Sequence, residues 1–267
     1  MHDTDPPGEA AEVGAGPVPA LELAGLSKRF GPKAAVDQVS LSVPPGSFYG
    51  LVGPNGAGKT TSLSMAVGLL RPDSGHARIF GVDVWADPVV ARARVGVLPD
   101  GLALPERLTG RELLTYLGRM RGLDRPTAAR RAQELLEILE LDEAERTLVI
   151  DYSTGMRKKI GLATALLHGP RLLVLDEPFE AVDPVSALTI RAMLRAFVSG
   201  GGSVVLSSHV MALVEQLCDH VAVIDRGRVA AAGPLDEVRA GGTLEDRFVE
   251  LVGAEVGERR GPSWLAS

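Results

Sequence analysis

An eight-residue stretch has the composition and spacing of a phosphate-binding loop. Residues 53–60 read Gly-Pro-Asn-Gly-Ala-Gly-Lys-Thr, which fits the pattern Gly-x-x-x-x-Gly-Lys-Ser/Thr. Glycines allow the backbone to curl until its N–H groups converge on phosphate oxygens at the start of a helix. Lys59 would neutralise the β- and γ-phosphates, and Thr60 would hold Mg²⁺. The predicted nucleotide-binding residues are Gly53, Pro54, Asn55, Gly56, Ala57, Gly58, Lys59, Thr60 and Thr61.

Two carboxylates follow an apolar run later in the chain. Residues 172–175 read Leu-Leu-Val-Leu and predict a buried strand that ends at Asp176 and Glu177. The carboxyl ends of parallel strands meet at one edge of a sheet, so we expect both acids to lie beside the phosphate loop. There Asp176 would reach Mg²⁺ and Glu177 would polarise the attacking water.

Strand patterns alternate with helix patterns around these motifs. Residues 21–23, 39–43, 48–52, 172–175 and 204–206 have the composition of strands, and residues 61–70 and 184–198 that of helices. Leu188, Leu194 and Phe197 have core spacing in the second helix. Alternation of this kind predicts an α/β fold with a mainly parallel sheet.

The same patterns predict the domain organisation. Residues 1–19 lack periodicity and are expected to form a flexible tail, and residues 20–233 are expected to form the sheet domain. Within it, residues 102–168 have only helical patterns and predict an inserted helical subdomain. One of its helices would begin at a capping box formed by Thr109 and Glu112. Residues 234–267 predict a C-terminal helical extension.

Composition excludes several classes of protein. The chain has 267 residues and a net charge of −6, and no apolar run is long enough to cross a bilayer. Its single cysteine, Cys218, has no internal partner for a disulfide, and the first residues are acidic where a signal peptide would be basic. We therefore expect a cytoplasmic protein. The acidic charge argues against a nucleic-acid partner.

The order of the motifs resembles the ATP-binding cassette (ABC) family over residues 20–233. Residues 152–156, Tyr-Ser-Thr-Gly-Met, are similar to the family's signature motif, usually Leu-Ser-Gly-Gly-Gln; Ser153 and Gly155 match, whereas Thr154 and Met156 depart from it. The resemblance implies that this segment, Ser153, Thr154 and Gly155, contacts ATP held by a partner cassette. By itself, Ser153 would be read as an ordinary helix N-cap.

Three further residues resemble family positions, and a fourth departs from one. Asp183 resembles the D-loop aspartate, and His209 resembles the switch histidine that touches the γ-phosphate. Phe30 resembles the aromatic residue that stacks on adenine, although a core position would be equally ordinary. Asp100 stands where the family usually has a metal-contacting glutamine. It keeps an oxygen ligand but is one methylene shorter and adds a negative charge.

The resemblance also implies a fold and a function. The expected fold is a P-loop NTPase (RecA-like) sheet with flanking antiparallel strands and the helical insertion. The expected cofactors are ATP and Mg²⁺, and the catalytic residues would be Lys59, Glu177 and His209, with Thr60, Asp100 and Asp176 at the metal. The expected partners are a second copy or a related cassette, together with separate transmembrane permease subunits at the cytoplasmic face of the membrane.

The type of transporter is less closely specified. The drug- and polysaccharide-export type is the nearest resemblance, carried by residues 99–100, 152–157 and 243–248. An importer ATPase remains an alternative, as does a soluble cassette ATPase that acts on nucleic acid or ribosomes. A non-catalytic regulatory cassette would explain the departures at Asp100, Thr154 and Met156, but Lys59 and Glu177 argue against it. The cargo is not expected to contact this chain.

Overall fold

The computed structural model describes residues 17–252, which form ten strands in two sheets. The strands are β1 (Leu21–Phe30), β2 (Lys33–Val43), β3 (Phe48–Val52), β4 (Ser74–Ile79), β5 (Val82–Asp83), β6 (Val95–Leu98), β7 (Leu172–Leu175), β8 (Ser203–Ser208), β9 (His220–Asp225) and β10 (Arg228–Pro234). The α-helices of the described residues are α1 (Lys59–Ala66), α2 (Pro88–Arg94), α3 (Gly110–Met120), α4 (Arg125–Ile138), α5 (Thr154–Leu166), α6 (Pro184–Ser199), α7 (Met211–Leu217), α8 (Leu235–Arg239) and α9 (Leu244–Val252).

The larger sheet carries the predicted site. Its strand order is β10-β9-β3-β8-β7-β6, and all neighbours pair in parallel except β10 and β9. A separate four-stranded antiparallel sheet has the order β2-β1-β4-β5. The α/β fold with a mainly parallel sheet and antiparallel strands beside it is therefore confirmed.

The parallel sheet separates two hydrophobic cores. In β7, Leu173 and Leu175 pack into the core on the side of α3 to α6, whereas Leu172 and Val174 pack into the core shared with the antiparallel sheet and α1. All four side chains are buried, because successive residues of a strand point to opposite faces and both faces are covered. This explains the continuous apolar run.

Between β6 and β7 the described residues form helices and short 3-10 turns but no strand, and their only β-pairing is an isolated bridge between Thr109 and Leu148. The predicted capping box is present at the start of α3, where Thr109 accepts the N–H of Glu112 and Glu112 accepts the N–H of Thr109. Beyond β10 the chain forms α8 and α9. Residues 1–16 of the expected tail and residues 253–267 of the expected extension lie outside the described residues, and the domain boundaries remain predictions.

Two local predictions were wrong. Helix α1 spans Lys59–Ala66 instead of residues 61–70, because left-handed backbone at Gly58 (φ +107°) precedes it and left-handed backbone at Gly68 (φ +73°) follows it. Leu188 is 64% exposed, whereas Leu194 is buried as expected and Phe197 packs against the core. The buried residues of α6 are Ser186, Ile190 and Leu194, which define one face of the helix. Leu188 lies on a different face and points away from the core.

Candidate nucleotide site

The phosphate loop connects β3 to α1 along a path that requires glycine. A Cβ atom on Gly53 would lie 2.2 Å from the carbonyl oxygen of Ile224, and one on Gly58 would lie 2.4 Å from that of Ala35. Both neighbours are backbone atoms, so neither can move aside for a side chain. At Gly56 (φ +78°) no heavy atom lies within 4 Å of the Cβ position. The loop is thus packed closely at both ends and open at its middle, where a phosphate would approach.

Lys59 is the buried cation of the loop. Its side chain is 6% exposed, and its Nζ donates to the carbonyl oxygens of Gly53 (2.8 Å) and Pro54 (3.3 Å). The same Nζ lies 3.5 Å from Oε1 of Glu177. A buried ammonium group is stable only with anionic or carbonyl partners around it. The ammonium is therefore positioned where an anionic ligand of the loop would be bound.

Glu177 connects the two groups that flank it. Its Oε2 lies 3.1 Å from Nδ1 of His209, while Oε1 faces Lys59. The backbone of Glu177 is left-handed (φ +46°), a conformation that costs energy for a residue with a side chain and that is concentrated at functional sites. The arrangement presents a largely buried carboxylate, 12% exposed, between a lysine and a histidine. Such a carboxylate can accept a proton from a bound water.

Asp176 is held by a serine to which sequence analysis assigned no role. The hydroxyl of Ser207, fully buried at the carboxyl end of β8, donates to Oδ1 of Asp176 (2.5 Å) and accepts the backbone N–H of Glu177 (2.9 Å). Ser207 is the penultimate residue of β8 and lies two positions before His209, but no local sequence motif indicates its role. Pairing of β7 with β8 brings these residues together.

A cavity of about 400 Å³ opens at the phosphate loop. Among its lining residues are six of the loop and α1 together with Phe30, Asp100 and Glu177, all of which sequence analysis singled out. Phe30 is 52% exposed, so it is not a core residue and its ring is accessible. Lys33, Ala35 and Glu180 also line the cavity, and no sequence motif indicated them.

The three predicted metal ligands share a smaller space. Thr60, Asp100 and Asp176 line one cavity of about 60 Å³ beneath the loop. Hydroxyl and carboxylate oxygens are the donors that Mg²⁺ prefers, and Mg²⁺ usually takes few protein ligands and completes its shell with water and phosphate. The donor set therefore fits Mg²⁺.

The signature-like segment lies apart from the loop cavity. Ser153 caps α5 by accepting the N–H of Met156 (3.2 Å), and Thr154 lines a neighbouring cavity with Asp100. A Cβ on Gly155 would lie 2.6 Å from Oδ2 of Asp183, which caps α6 through the N–H of Ser186. Hydrogen bonds from the backbone and side chain of Ser186 hold the pKa of Asp183 below its usual range. None of Ser153, Thr154, Gly155 and Asp183 lines the cavity of the phosphate loop on the same chain.

Helix α5 nevertheless contacts the segment that follows β7. Lys158, in its second turn, donates from Nζ to the backbone carbonyl of Glu177 (2.8 Å). His209 and Glu177 both line a fourth cavity, of about 420 Å³. The predicted site residues thus form two separate sets: the phosphate-binding residues around Lys59, and a second surface around Ser153.

Comparisons with known proteins agree with this geometry. The family model described as "ABC transporter" matches residues 36–180. The chain is 41% identical to the "Daunorubicin/doxorubicin resistance ATP-binding protein DrrA" of Streptomyces peucetius over 84% of this chain and 68% of that protein. It is 39% identical to the "Nod factor export ATP-binding protein I" of Ralstonia nicotianae over 89% of this chain and 73% of that protein. A solved structure described as an ATP binding subunit of an ABC transporter has a TM-score of 0.80 at 30% identity, covering 87% of this chain and 99% of that one.

Proposed function

The chain belongs to the ABC transporter family as an ATP-binding subunit, and from this we propose that it hydrolyses ATP to power export through separate membrane subunits. ABC ATP-binding subunits are ATPases as a family. The observation that carries the proposal for this chain is the position of Glu177, which lines the loop cavity and whose carboxylate lies between Lys59 and His209.

The side chains divide the chemistry among them. Bound ATP would supply the phosphoanhydride bond, with Mg²⁺ shielding its oxygens. Lys59 and the backbone N–H groups of residues 53–61, except Pro54, which has none, would bind the phosphate oxygens, and Glu177 would orient a water and take its proton. His209 would hold the Glu177 carboxylate and contact the γ-phosphate.

The metal would be held from below the loop. Thr60 and Asp176 are the proposed ligands, with Ser207 fixing the orientation of the Asp176 carboxylate. Asp100 supports the same site because it lines the same small cavity. Phe30, exposed at the rim of the larger cavity, would stack on the base.

A complete site would need two chains. Ser153, Thr154 and Gly155 lie outside the loop cavity of their own chain, which supports a head-to-tail pair in which they cover the nucleotide of a partner cassette. The N–H groups at the start of α5 would then face its γ-phosphate. Asp183 would lie at the same interface, because its side chain packs against Gly155. The partner would be a second copy or a related cassette.

Export is favoured by the names of the relatives. One relative is named for drug resistance and another for Nod factor export. No helix in residues 17–252 is both long and apolar enough to cross a bilayer. We propose that separate permease subunits hold the chain at the cytoplasmic face of the membrane. Neither the import alternative nor the nucleic-acid alternative has an observation in its favour.

The test is to replace Glu177 and a matched neighbour. Glu177→Gln keeps the shape of the side chain but removes the proton acceptor, so ATP hydrolysis should fall by about 100-fold or more while ATP still binds. Glu180→Gln removes a carboxylate from the same cavity and should keep hydrolysis within about 3-fold. Phosphate release and binding of a fluorescent ATP analogue measure the two properties. Equal hydrolysis by wild type and Glu177→Gln would refute the proposed role.

A further inference from the structure

Five arginines form a contiguous strip at the amino ends of β6 and β7. This arginine strip consists of Arg92, Arg94, Arg121, Arg131 and Arg171. Nη1 of Arg121 donates to the carbonyl oxygen of Arg92 (3.3 Å), and the backbone N–H of Arg171 donates to that of Arg94 (2.9 Å). The nucleotide residues follow the carboxyl ends of the same strands, so the strip lies at the opposite edge of the sheet from the proposed site.

The positive charge of the strip is not balanced within the described part of the chain. Guanidinium groups of the strip donate to backbone carbonyls instead of carboxylates: Arg92 to Gly68, Arg94 to Phe80 and Arg131 to Leu167. None of the thirteen ion pairs in residues 17–252 includes an arginine of the strip. Each guanidinium has five N–H donors, so further donors remain for another acceptor.

The pKa of a histidine beside these arginines is lowered in part by their positive charge. The Nε2 atom of His168 lies 3.1 Å from the carbonyl oxygen of Val95, the residue after Arg94. Burial, and then the charges of Arg121 and Arg131, lower the pKa of His168 to about 4. An acidic ligand is the occupant that such a surface would favour.

The described chain begins directly beside the strip. The backbone N–H of Phe80 donates to the carbonyl oxygen of Ala20 (3.2 Å), and the carbonyl of Phe80 accepts from Nη1 of Arg94 (2.9 Å). The guanidinium of Arg171 lies 4.1 Å from the centre of the Phe80 ring. Phe80 therefore contacts both Ala20, near the start of the described residues, and two arginines of the strip.

The residues before this point are acidic. Residues 1–16 contain Asp3, Asp5, Glu9 and Glu12 and no lysine or arginine. Sixteen residues can span up to about 50 Å when extended, which is enough to follow a strip that starts beside Ala20. We propose that this acidic segment binds the arginine strip of its own chain.

Covalent attachment favours binding of residues 1–16 to the arginine strip over binding of a separate anion from solution. A covalently linked segment has an effective concentration of about millimolar near its attachment point, without any cost for bringing two molecules together. Arginine and carboxylate groups can also form paired hydrogen bonds, which are stronger than contacts between neutral groups. The bound segment would cover the strip and exclude other anions, such as phospholipid headgroups.

A paramagnetic label tests the contact. A nitroxide on His2→Cys can be placed selectively, since the native Cys218 is buried and burial raises the pKa of its thiol. The label should broaden the amide signals of Gly122 and Gly169, which lie next to the strip in sequence, in nuclear magnetic resonance spectra. The triple variant Arg121→Gln, Arg131→Gln, Arg171→Gln should restore these signals, whereas Arg107→Gln, a matched change at an exposed arginine of the loop before α3, should not.

Two further measurements test whether the contact depends on the acidic residues and whether the segment covers the strip. Neutralising the segment (Asp3→Asn, Asp5→Asn, Glu9→Gln, Glu12→Gln) changes no residue within 17–252 and should restore the same signals. Deleting residues 1–16 should increase binding to vesicles of phosphatidylglycerol, and the increase should vanish in the triple variant. Broadening that persists in the triple or neutralised variant overturns the proposal. Vesicle binding that is equal with and without the segment also overturns it, because the strip would then be open.

Discussion

Ser207 is the residue whose side chain joins Asp176 to the backbone of Glu177. Ser207→Ala would leave a buried carboxylate oxygen and a backbone N–H without their partner, at a cost of about 1–3 kcal/mol in the free energy of unfolding. Because the orientation of both acids depends on this hydroxyl, ATPase activity should fall by about 10- to 100-fold. Urea unfolding and phosphate release measure the two effects.

The matched control is at the other end of the same strand. Ser203 is also fully buried, and its hydroxyl accepts the backbone N–H of Gly46 (2.8 Å), far along β8 from the carboxylates. Ser203→Ala should therefore lose a similar amount of stability and keep the ATPase activity of the folded protein. If both variants lose activity alike, Ser207 acts through stability alone.

His168 is the residue that should link stability to pH. Its folded pKa of about 4 lies below the usual value of 6.5, so the unfolded chain binds more protons between these two pH values. The free energy of unfolding should accordingly fall as the pH falls from about 6.5 to about 4. His168→Gln should flatten that part of the curve in chemical denaturation at a series of pH values. Parallel curves for wild type and variant would contradict this prediction.

At the scale of elements, the contact of α5 with β6 depends on the absence of a side chain. A Cβ on Gly96 would lie 2.1 Å from the backbone carbonyl oxygen of Ala165, so Gly96→Ala would force the helix away from the sheet. We expect a loss of about 1–3 kcal/mol in urea unfolding. Gly200→Ala serves as the control, because its nearest contact is 3.4 Å and the change should stay within about 0.5 kcal/mol. Equal losses would show that the close approach does not matter.

Secondary-structure elements whose bounds depend only on the local sequence pattern were predictable from the sequence. Strands β3 and β7 match their predicted bounds because each is buried on both faces and reads as an uninterrupted apolar run. The exposed Leu188 was not predictable from spacing, which cannot tell which neighbours a helix face will have. For the same reason the role of Ser207 depended on the pairing of β7 with β8, a long-range fact that no local motif carries.

At the scale of the whole molecule, the proposed head-to-tail pair predicts a change of mass. Glu177→Gln protein should form a dimer with ATP and Mg²⁺ in light scattering, since bound nucleotide would persist without hydrolysis. Adding Ser153→Arg should abolish the dimer. Ser153 also caps α5, so Thr109→Ala, which removes the cap of α3, controls for a lost cap and should leave the dimer intact. A monomer under all conditions would contradict self-association of this chain.

The hydrogen bond from Lys158 to the carbonyl of Glu177 connects the helix that starts at the signature-like segment to the loop that carries the proposed base. In a head-to-tail pair, each chain would therefore sense its own nucleotide and its neighbour's through one short path. Two such contacts, one in each chain, would couple the two nucleotide sites. ATP binding at either site would then raise the affinity of the other site for ATP by the same factor. Hydrolysis would then depend on ATP concentration with a Hill coefficient above 1, and one inactive subunit would silence a mixed pair.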